Sequence, residues 1–365
     1  MTMIPMQEDD FRPARELTRA FFRATNPHLS HEEFEAKWQK SFDSPLRFFR
    51  SFPQAYYLDL TCFQEDHVPG RVLWCFGDLH PENFGYLTFK QGLRYVFNDL
   101  DDSGPGLVAL DALRYFTALQ LTNNDRHETN ELIDFYRDVM RDPSRGTRLP
   151  ASMAPDPIAL REKELRRYVT QEGLFLLGGD SRLGNLAEEE GKVLLHAFSQ
   201  HPWLSTLKPL DLAERDRPHG GSGGLRRFWV LVRQPPERDE AFDILEFKEL
   251  TKAAITWGRQ FTLLEDRVEH AKREVWRGLD TQDHETIILG RSEFLVRSRL
   301  GRSSFDIDDL KKKERRAVFE AQISLMAAHH RRAFEAHEYQ DLDDWLQLSV
   351  RVLARRYREL FERLR

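Results

Sequence analysis

Asp78, His80, Glu82 and Asn83 fall within six residues of one another in "FGDLHPENFG" (76–85), between two glycines and directly after the apolar run "RVLWCF". A carboxylate, Asp78, precedes a carboxamide, Asn83, by five residues across a proline turn. Phosphoryl transfer needs a group that orients the attacking hydroxyl and, close to it, an oxygen ligand for the magnesium that neutralises phosphate charge. Asp78 suits the first role and Asn83 the second, provided the loop folds back on itself. A second carboxylate must complete the metal shell. Asp99, in "VFNDLDD", is the candidate, and Asp101 could share or replace its role. Magnesium keeps few protein ligands beside phosphate oxygens, so two suffice. The plainer reading of Asp78 and Asn83 is a turn in which both side chains cap backbone groups, and that of Asp99, Asp101 and Asp102 is a solvated loop. A calcium loop is excluded, because the twelfth position counted from Asp99 is Leu110, where a bidentate Glu is required.

The flanking elements must bring these loops together. "RVLWCF" is short and continuously apolar, as a buried strand is. "FGYLTF" and "LRYVFN" flank "KQG" and predict a hairpin. "LVALDALRYFTALQL" has apolar residues at helical spacing and carries Asp111, which fits the helix start electrostatically. Upstream, Ser30 with Glu33 predicts a capping box ahead of "EEFEAKWQKSF", with Pro45 closing that helix before an irregular aromatic stretch. Four prolines in "RDPSRGTRLPASMAPDP" (141–157) mark a connecting loop. Helical pattern resumes in "IALREKELRRYVTQ" and "AEEEGKVLLHAFSQ". A second unit starts near residue 205, with "HGGSGG" and the strand-like "LRRFWVLVR" and "FDILEFKEL"; Thr251 to Arg277 reads as helix, "SEFLVRSRL" as a further strand, and Leu310 to Arg365 almost wholly as helix.

Composition narrows the class. The 365 residues carry 40% hydrophobic and 31% charged side chains, an ordinary globular balance. The formal net charge of -6 gives no global attraction to nucleic acid or anionic membrane, so phosphate binding would have to be local. Two cysteines, Cys62 and Cys75, form no CxxC pair, and no run approaches a membrane span. A cytoplasmic protein is expected, with neither nucleic acid nor membrane as partner. His80 and the pair His329 and His330 lack partners at zinc spacing and read as hydrogen-bonded structural residues.

"GDLHPEN" followed by "NDLDD" resembles the catalytic segment of aminoglycoside and choline kinases, whose GDLHPGN loop precedes an IDWDD-type segment, and Asp111 matches the later Asp of their helix. The wider arrangement of "SPLRFFR", "GDLHPENFG", "FNDLDDSGPG" and "EFKEL" resembles the uncharacterised bacterial kinase-like family called domain of unknown function 2252. The resemblance implies an α+β, protein-kinase-like two-lobed fold, ATP and Mg2+ as cofactors, and an acceptor hydroxyl, with "DLHP" in place of "DLKP" leaning toward a small molecule. Phe76 stands where many kinases carry a structural His.

Order departs from that family pattern. Only some seventy residues precede Asp78 and none forms a glycine loop. The downstream candidates are Gly220, Gly221, Gly223 and Gly224 of "HGGSGG", whose N–H groups could approach phosphates, and Lys248 on the following strand. The small lobe is then expected to be circularly permuted behind the catalytic segment: an N-terminal helical segment over 1–70, the catalytic-loop segment over 71–200, a nucleotide-binding lobe over 205–300 and C-terminal helices over 301–365. "HGGSGG" reads equally as a flexible connection, and Lys248 as an exposed lysine at a sheet edge. A nucleotidyltransferase or a non-catalytic nucleotide-binding protein would share these features. A metallophosphoesterase would use Asp78 and His80 as its DxH pair, but "GGDSRLGN" lacks the second Asp and the His that it needs.

Overall fold

The computed structural model describes residues 16–60, 68–123, 125–216, 223–235, 242–257, 267–281 and 284–365. The chain is mixed α and β. Four short helices lead in: α1 (Arg19–Ala24), α2 (His31–Ser41), α3 (Pro45–Ser51) and α4 (Pro53–Asp59). Ser30 and Glu33 form the expected reciprocal capping box on α2. Pro45 does not close that helix but opens α3 at its first turn, where a missing N–H costs nothing. The aromatic stretch expected to be irregular is therefore helical. Its rings interlock, with Phe22, Trp38, Phe48 and Phe52 in mutual contact at 4.9 to 6.2 Å between centroids.

Strand β1 (Val72–Cys75) precedes the hairpin β2 (Phe84–Phe89) and β3 (Gly92–Phe97), which pairs as predicted from Phe84↔Phe97 to Phe89↔Gly92. Strand β4 (Gly104–Leu107) then pairs antiparallel with β1, Cys75 opposite Gly104. Helices α5 (Val108–Asn123) and α6 (Arg126–Arg141) follow. With the long C-terminal helices α10 (Lys312–His330) and α11 (Glu338–Leu364), these elements share one apolar core, including Leu113, Phe116, Tyr136, Phe319 and Leu353.

The second structural body is a six-stranded antiparallel sheet in the order β5-β6-β7-β8-β10-β9. Its strands are β5 (Leu183–Asn185), β6 (Lys208–Arg215), β7 (Arg227–Arg233), β8 (Phe242–Glu249), β9 (His284–Leu289) and β10 (Ser292–Ser298). Alternation gives the sheet two different faces. One face is apolar: Phe228, Val230, Leu245, Phe247, Phe294 and Val296 pack under Leu194 and Phe198 of α8 (Glu188–Gln200). The other carries Arg215, Arg227, Trp229, Glu246, Lys248 and Arg297, in a register that sets Trp229 opposite Glu246, Glu246 opposite Arg297, and Arg227 opposite Lys248. Beside it Trp229 packs with Tyr168, the last residue of α7 (Pro157–Tyr168).

The chain is distributed between these bodies differently from the expected boundaries. Tyr168, Phe175, Leu183, Leu194 and Phe198 pack on the sheet, although they were expected within the 71–200 segment. Ala254, Ile255, Ala271 and Trp276 pack into the helical core, although they fall within 205–300. Of the helix expected over Thr251 to Arg277, the described residues form a 3-10 turn at Ala254–Thr256 and α9 (Arg267–Val275). No helix among the described residues is long and apolar enough to cross a membrane.

Candidate active site

Antiparallel pairing of β1 with β4 sets the end of one strand beside the start of the other, so the Asp78 loop and the Asp99–Ser103 loop share one end of the ribbon. Gly77 lets them touch. Its φ is +88°, and a Cβ there would sit 2.0 Å from the carbonyl oxygen of Asp102. The hairpin closes the remaining gap, because the Asn98 N–H donates to the Asn83 carbonyl at 2.9 Å.

Asp111 anchors this turn. Its carboxylate accepts the N–H groups of Phe76 at 2.6 Å and Gly77 at 3.1 Å, and His330 Nε2 lies 3.4 Å away with Tyr136 on its other nitrogen at 2.9 Å. Its work is thus to fix the loop backbone from α5, beyond any effect on the helix dipole. Three residues along α5, on the same face, Arg114 is fully buried and donates through Nε to Asp78 Oδ1 at 2.9 Å, with a second, shorter contact from Nη2. The guanidinium lies over Phe49 at 4.6 Å and Tyr56 at 4.9 Å. Burial works to raise the Asp78 pKa, but Arg114 and then His80 outweigh it and hold the carboxyl well below the usual range. His80 Nδ1 accepts the Glu82 N–H at 3.2 Å, so its proton sits on Nε2, 3.6 Å from Asp78 Oδ2. Burial lowers the His80 pKa against the pull of Asp78, which keeps the ring neutral. Asn83 Nδ2 donates to the Asp78 carbonyl at 2.9 Å, folding the loop back on itself. The Glu82 carboxylate pairs with Arg50 of α3.

The second loop meets the sheet. Lys248 is not an exposed edge residue: β8 lies inside the sheet and the lysine side chain is 2% exposed. Its Nζ lies 3.2 Å from Asp99 Oδ1 and 2.5 Å from Asp101 Oδ2. Arg297 continues the series, 3.8 Å from Asp99 on one side and bonded to Glu246 at 2.8 and 2.9 Å on the other. Glu246 also accepts from Arg227 at 3.0 Å. Burial would raise the Glu246 pKa, yet Arg297 and Arg227 hold it far below the usual range. The two aspartates diverge: despite burial, Lys248 holds Asp99 ionised at low pH, whereas burial and the Asp99 charge raise Asp101. Asp102 is pushed up to about 7 by burial, Asp101 and Asp78, while the Ala254 N–H on its Oδ1 at 2.7 Å favours the charged form. Lys37 of α2 reaches the same region. Burial drops its pKa to about 7 against the attraction of Asp102 and Asp78, and its Nζ donates to Asn26 Oδ1 at 2.8 Å.

Of the sequence candidates, Asp78, His80, Asn83 and Asp111 thus gather at one loop, and Asp99, Asp101 and Lys248 at the adjoining one. Gly220 and Gly221 lie outside the described residues. Gly224 has φ +80°, and a Cβ there would sit 2.2 Å from Leu29 Cδ2, so its lack of a side chain serves close packing against the segment before α2. The "GGDSRLGN" stretch forms a 3-10 turn and edge strand β5, bonded to β6. Among the described residues, no three His, Cys, Asp or Glu side chains group as a metal cage. Sequence reasoning passed over Arg114, Lys37 and Arg297. The first and last had signals: Arg114 lies at i+3 from Asp111, and Arg297 faces Glu246 across paired strands.

The sequence profile of a family described as an uncharacterized protein conserved in bacteria (DUF2252) matches residues 30–142. No curated protein and no solved structure matches the chain. The matched segment runs from the capping box of α2 to the end of α6 and contains every Asp of the two loops, whereas Lys248 and the sheet lie beyond it.

Proposed function

We propose that the chain is an ATP- and Mg2+-dependent phosphotransferase of kinase-like, two-lobed design, its nucleotide-binding sheet following the catalytic loop, and that it acts on a small-molecule hydroxyl. The observation that carries this reading is the convergence of Lys248, a buried cation from the sheet, on Asp99 and Asp101, whose loop is joined through Gly77 to that of Asp78. A lysine, two carboxylates and a carboxamide are the groups that phosphoryl transfer uses to hold phosphates and metal.

The donor set fits magnesium. Asp101 Oδ1 is buried without a hydrogen-bond partner, and the Asn83 carboxamide spends its NH2 on the Asp78 carbonyl, which leaves its oxygen as the ligand atom. When bound, the ion would neutralise charge on the phosphate oxygens. Lys248 would exchange part of its contact with Asp99 and Asp101 for phosphate oxygens. Asp78, held ionised by Arg114, is a weak base at neutral pH, so its role is to accept a hydrogen bond from the acceptor hydroxyl and aim it. As the hydroxyl oxygen bonds to the γ-phosphorus, the bond to the β,γ-bridging oxygen would break, and the hydroxyl proton would leave to solvent.

The test is calorimetric and chemical. Magnesium-dependent binding of a non-hydrolysable ATP analogue, weakened in Lys248→Met, is expected, together with slow conversion of ATP to ADP. Release of pyrophosphate would reassign the chemistry to nucleotidyl transfer. Absence of nucleotide binding at millimolar magnesium would overturn the reading.

A further inference from the structure

The ionic face of the sheet holds more arginine than its carboxylates can pair. Glu246 takes Arg227 and Arg297. Two further arginines, Arg215 and Arg299, lie at Trp229, and a third, Arg302, lies at the Asn98 carbonyl. The Arg215 guanidinium lies 4.9 Å from the Trp229 ring and makes no hydrogen bond or ion pair among the described residues, and its Nη1 is buried without a partner. Arg299 sits 5.9 Å from the same ring, with a single long ion pair among the described residues, of 3.6 Å to Glu164 of α7. Arg302 makes one side-chain hydrogen bond among the described residues, to the Asn98 carbonyl at 3.3 Å, directly before Asp99.

Such crowding is costly. Burial lowers the Arg302 pKa far from its usual value and Arg297 lowers it further; burial also lowers that of Arg215, with Arg299 and Arg182 adding repulsion. Like charges packed together, two of them on an aromatic ring and one, Arg215, with a buried donor unspent, are stabilised by an incoming anion. The cluster is reachable from solvent, because the Arg299 side chain keeps 30% of its exposure.

We propose that Arg215 and Arg299 at Trp229, with Arg302 beside the Asp99 loop, form a receiving site for a phosphate-class anion. Guanidinium forks match phosphate oxygens in pairs, and stacking on Trp229 holds two of them in orientation. The anion belongs either to the nucleotide or to an acceptor that carries its own phosphate. The inference stands on the basic cluster alone, so it survives if no phosphoryl transfer occurs.

The experiment titrates inorganic phosphate into the full chain by calorimetry at constant ionic strength set with chloride. Wild type is expected to bind, and the double variant Arg215→Gln/Arg299→Gln to bind at least tenfold more weakly while keeping its circular dichroism. The single variant Arg215→Gln guards against misfolding of the double one, and Arg215→Lys, which keeps charge but loses the fork, should recover only part of the affinity. A repeat with the protein saturated by magnesium and a non-hydrolysable ATP analogue separates the sources: retained phosphate binding assigns the site to an acceptor, and lost binding assigns it to the nucleotide. No phosphate binding by wild type, or equal binding by wild type and the folded single variant, overturns the proposal.

Discussion

Replacing Lys248 by Met tests whether a charge holds the sheet to the acidic loops. The ammonium lies 3.2 Å from Asp99 and 2.5 Å from Asp101, and its side chain is 2% exposed. Methionine keeps most of the stem volume, so the change is chiefly electrostatic. Removing one partner of a buried ion pair costs about 3–5 kcal/mol, because the remaining charge stays desolvated. The Asp99 side chain is 31% exposed, which lets water recover part of this, and Asp101 can take up a proton, since burial and Asp99 already raise its pKa. About 3 kcal/mol at pH 7.5 is therefore expected.

The loss must also depend on pH. Without the lysine, the folded pKa of Asp101 rises further above its unfolded value. A group shifted in that direction contributes stability that is present below the unfolded pKa and lost as pH rises through the folded one. The variant should thus be penalised less at pH 5 than at pH 7.5, and Asp101→Asn on the same background should remove most of the difference. Urea unfolding at both pH values gives the comparison, with unchanged m-values as the control on compactness. A penalty below about 1 kcal/mol, or one identical at both pH values, would mean that the ammonium is solvated and that no ion pair joins the sheet to these loops.

Four further outcomes follow from the same geometry. Asp78→Asn should lower turnover at least about a hundredfold with nucleotide affinity near wild type, and equal activity in the variant would remove Asp78 from the reaction. Asp99→Ala should weaken magnesium-dependent ATP binding more than Asp101→Ala in calorimetry, because Asp99 is the carboxylate held ionised; the reverse order would move the metal ligand to Asp101. Gly77→Ala should cost about 3 kcal/mol or more in urea unfolding, since φ is +88° and the methyl would meet the Asp102 carbonyl, and a near-neutral result would separate the two loops. Lys37, whose folded pKa is depressed to about 7, contributes stability that is present above its unfolded value of 10.5 and lost as pH falls toward 7, so Lys37→Met should flatten the urea midpoint between pH 9.5 and 7.5, and an unchanged slope would refute its burial as an amine.

The parts of this molecule legible in the sequence are those whose cause is local. The Ser30 and Glu33 box, the hairpin over 84–97 and the long C-terminal helices each carry their own signal in adjacent residues. Strand β4 does not: "GPGL" has the composition of a loop and becomes a strand because β1 offers an edge and Ile255 packs against Gly106, where a Cβ would meet Ile255 Cδ1 at 2.7 Å. Strands β6 and β9 were missed for a related reason, since both have half-buried, mixed faces with weak alternation. At the site, the acidic residues and Lys248 were visible in the sequence, but the other cations, Arg114, Arg297 and Lys37, were passed over. Arg114 is ordinary on its helix until α3 and α4 close Phe49 and Tyr56 over it. Lys37 reads as one more polar residue of an amphipathic helix and is 1% exposed.

That asymmetry has a physical consequence for how the two bodies join. The apolar face of the sheet is spent on α8, so its other face meets the helical body through the charges of Arg227, Glu246, Lys248 and Arg297 and a small apolar contact of Leu250 and Leu295 with Val268 of α9. From Asp101 the signs alternate through Lys248, Asp99, Arg297 and Glu246 to Arg227. A seam of alternating charge differs from an apolar one in what can enter it. An apolar interface repels an anion, whereas here a phosphate can replace a carboxylate on a lysine or arginine and the displaced carboxylate can take a metal cation, so the count of satisfied charges is kept. Carboxylates arriving from residues 99 and 101 and cations from residues 227, 248 and 297 therefore need no common stretch of sequence. They need only the β1 and β4 pairing on one side and the β7, β8 and β10 register on the other, and under the proposed function the exchange of partners across the seam is the step at which nucleotide and metal would enter together.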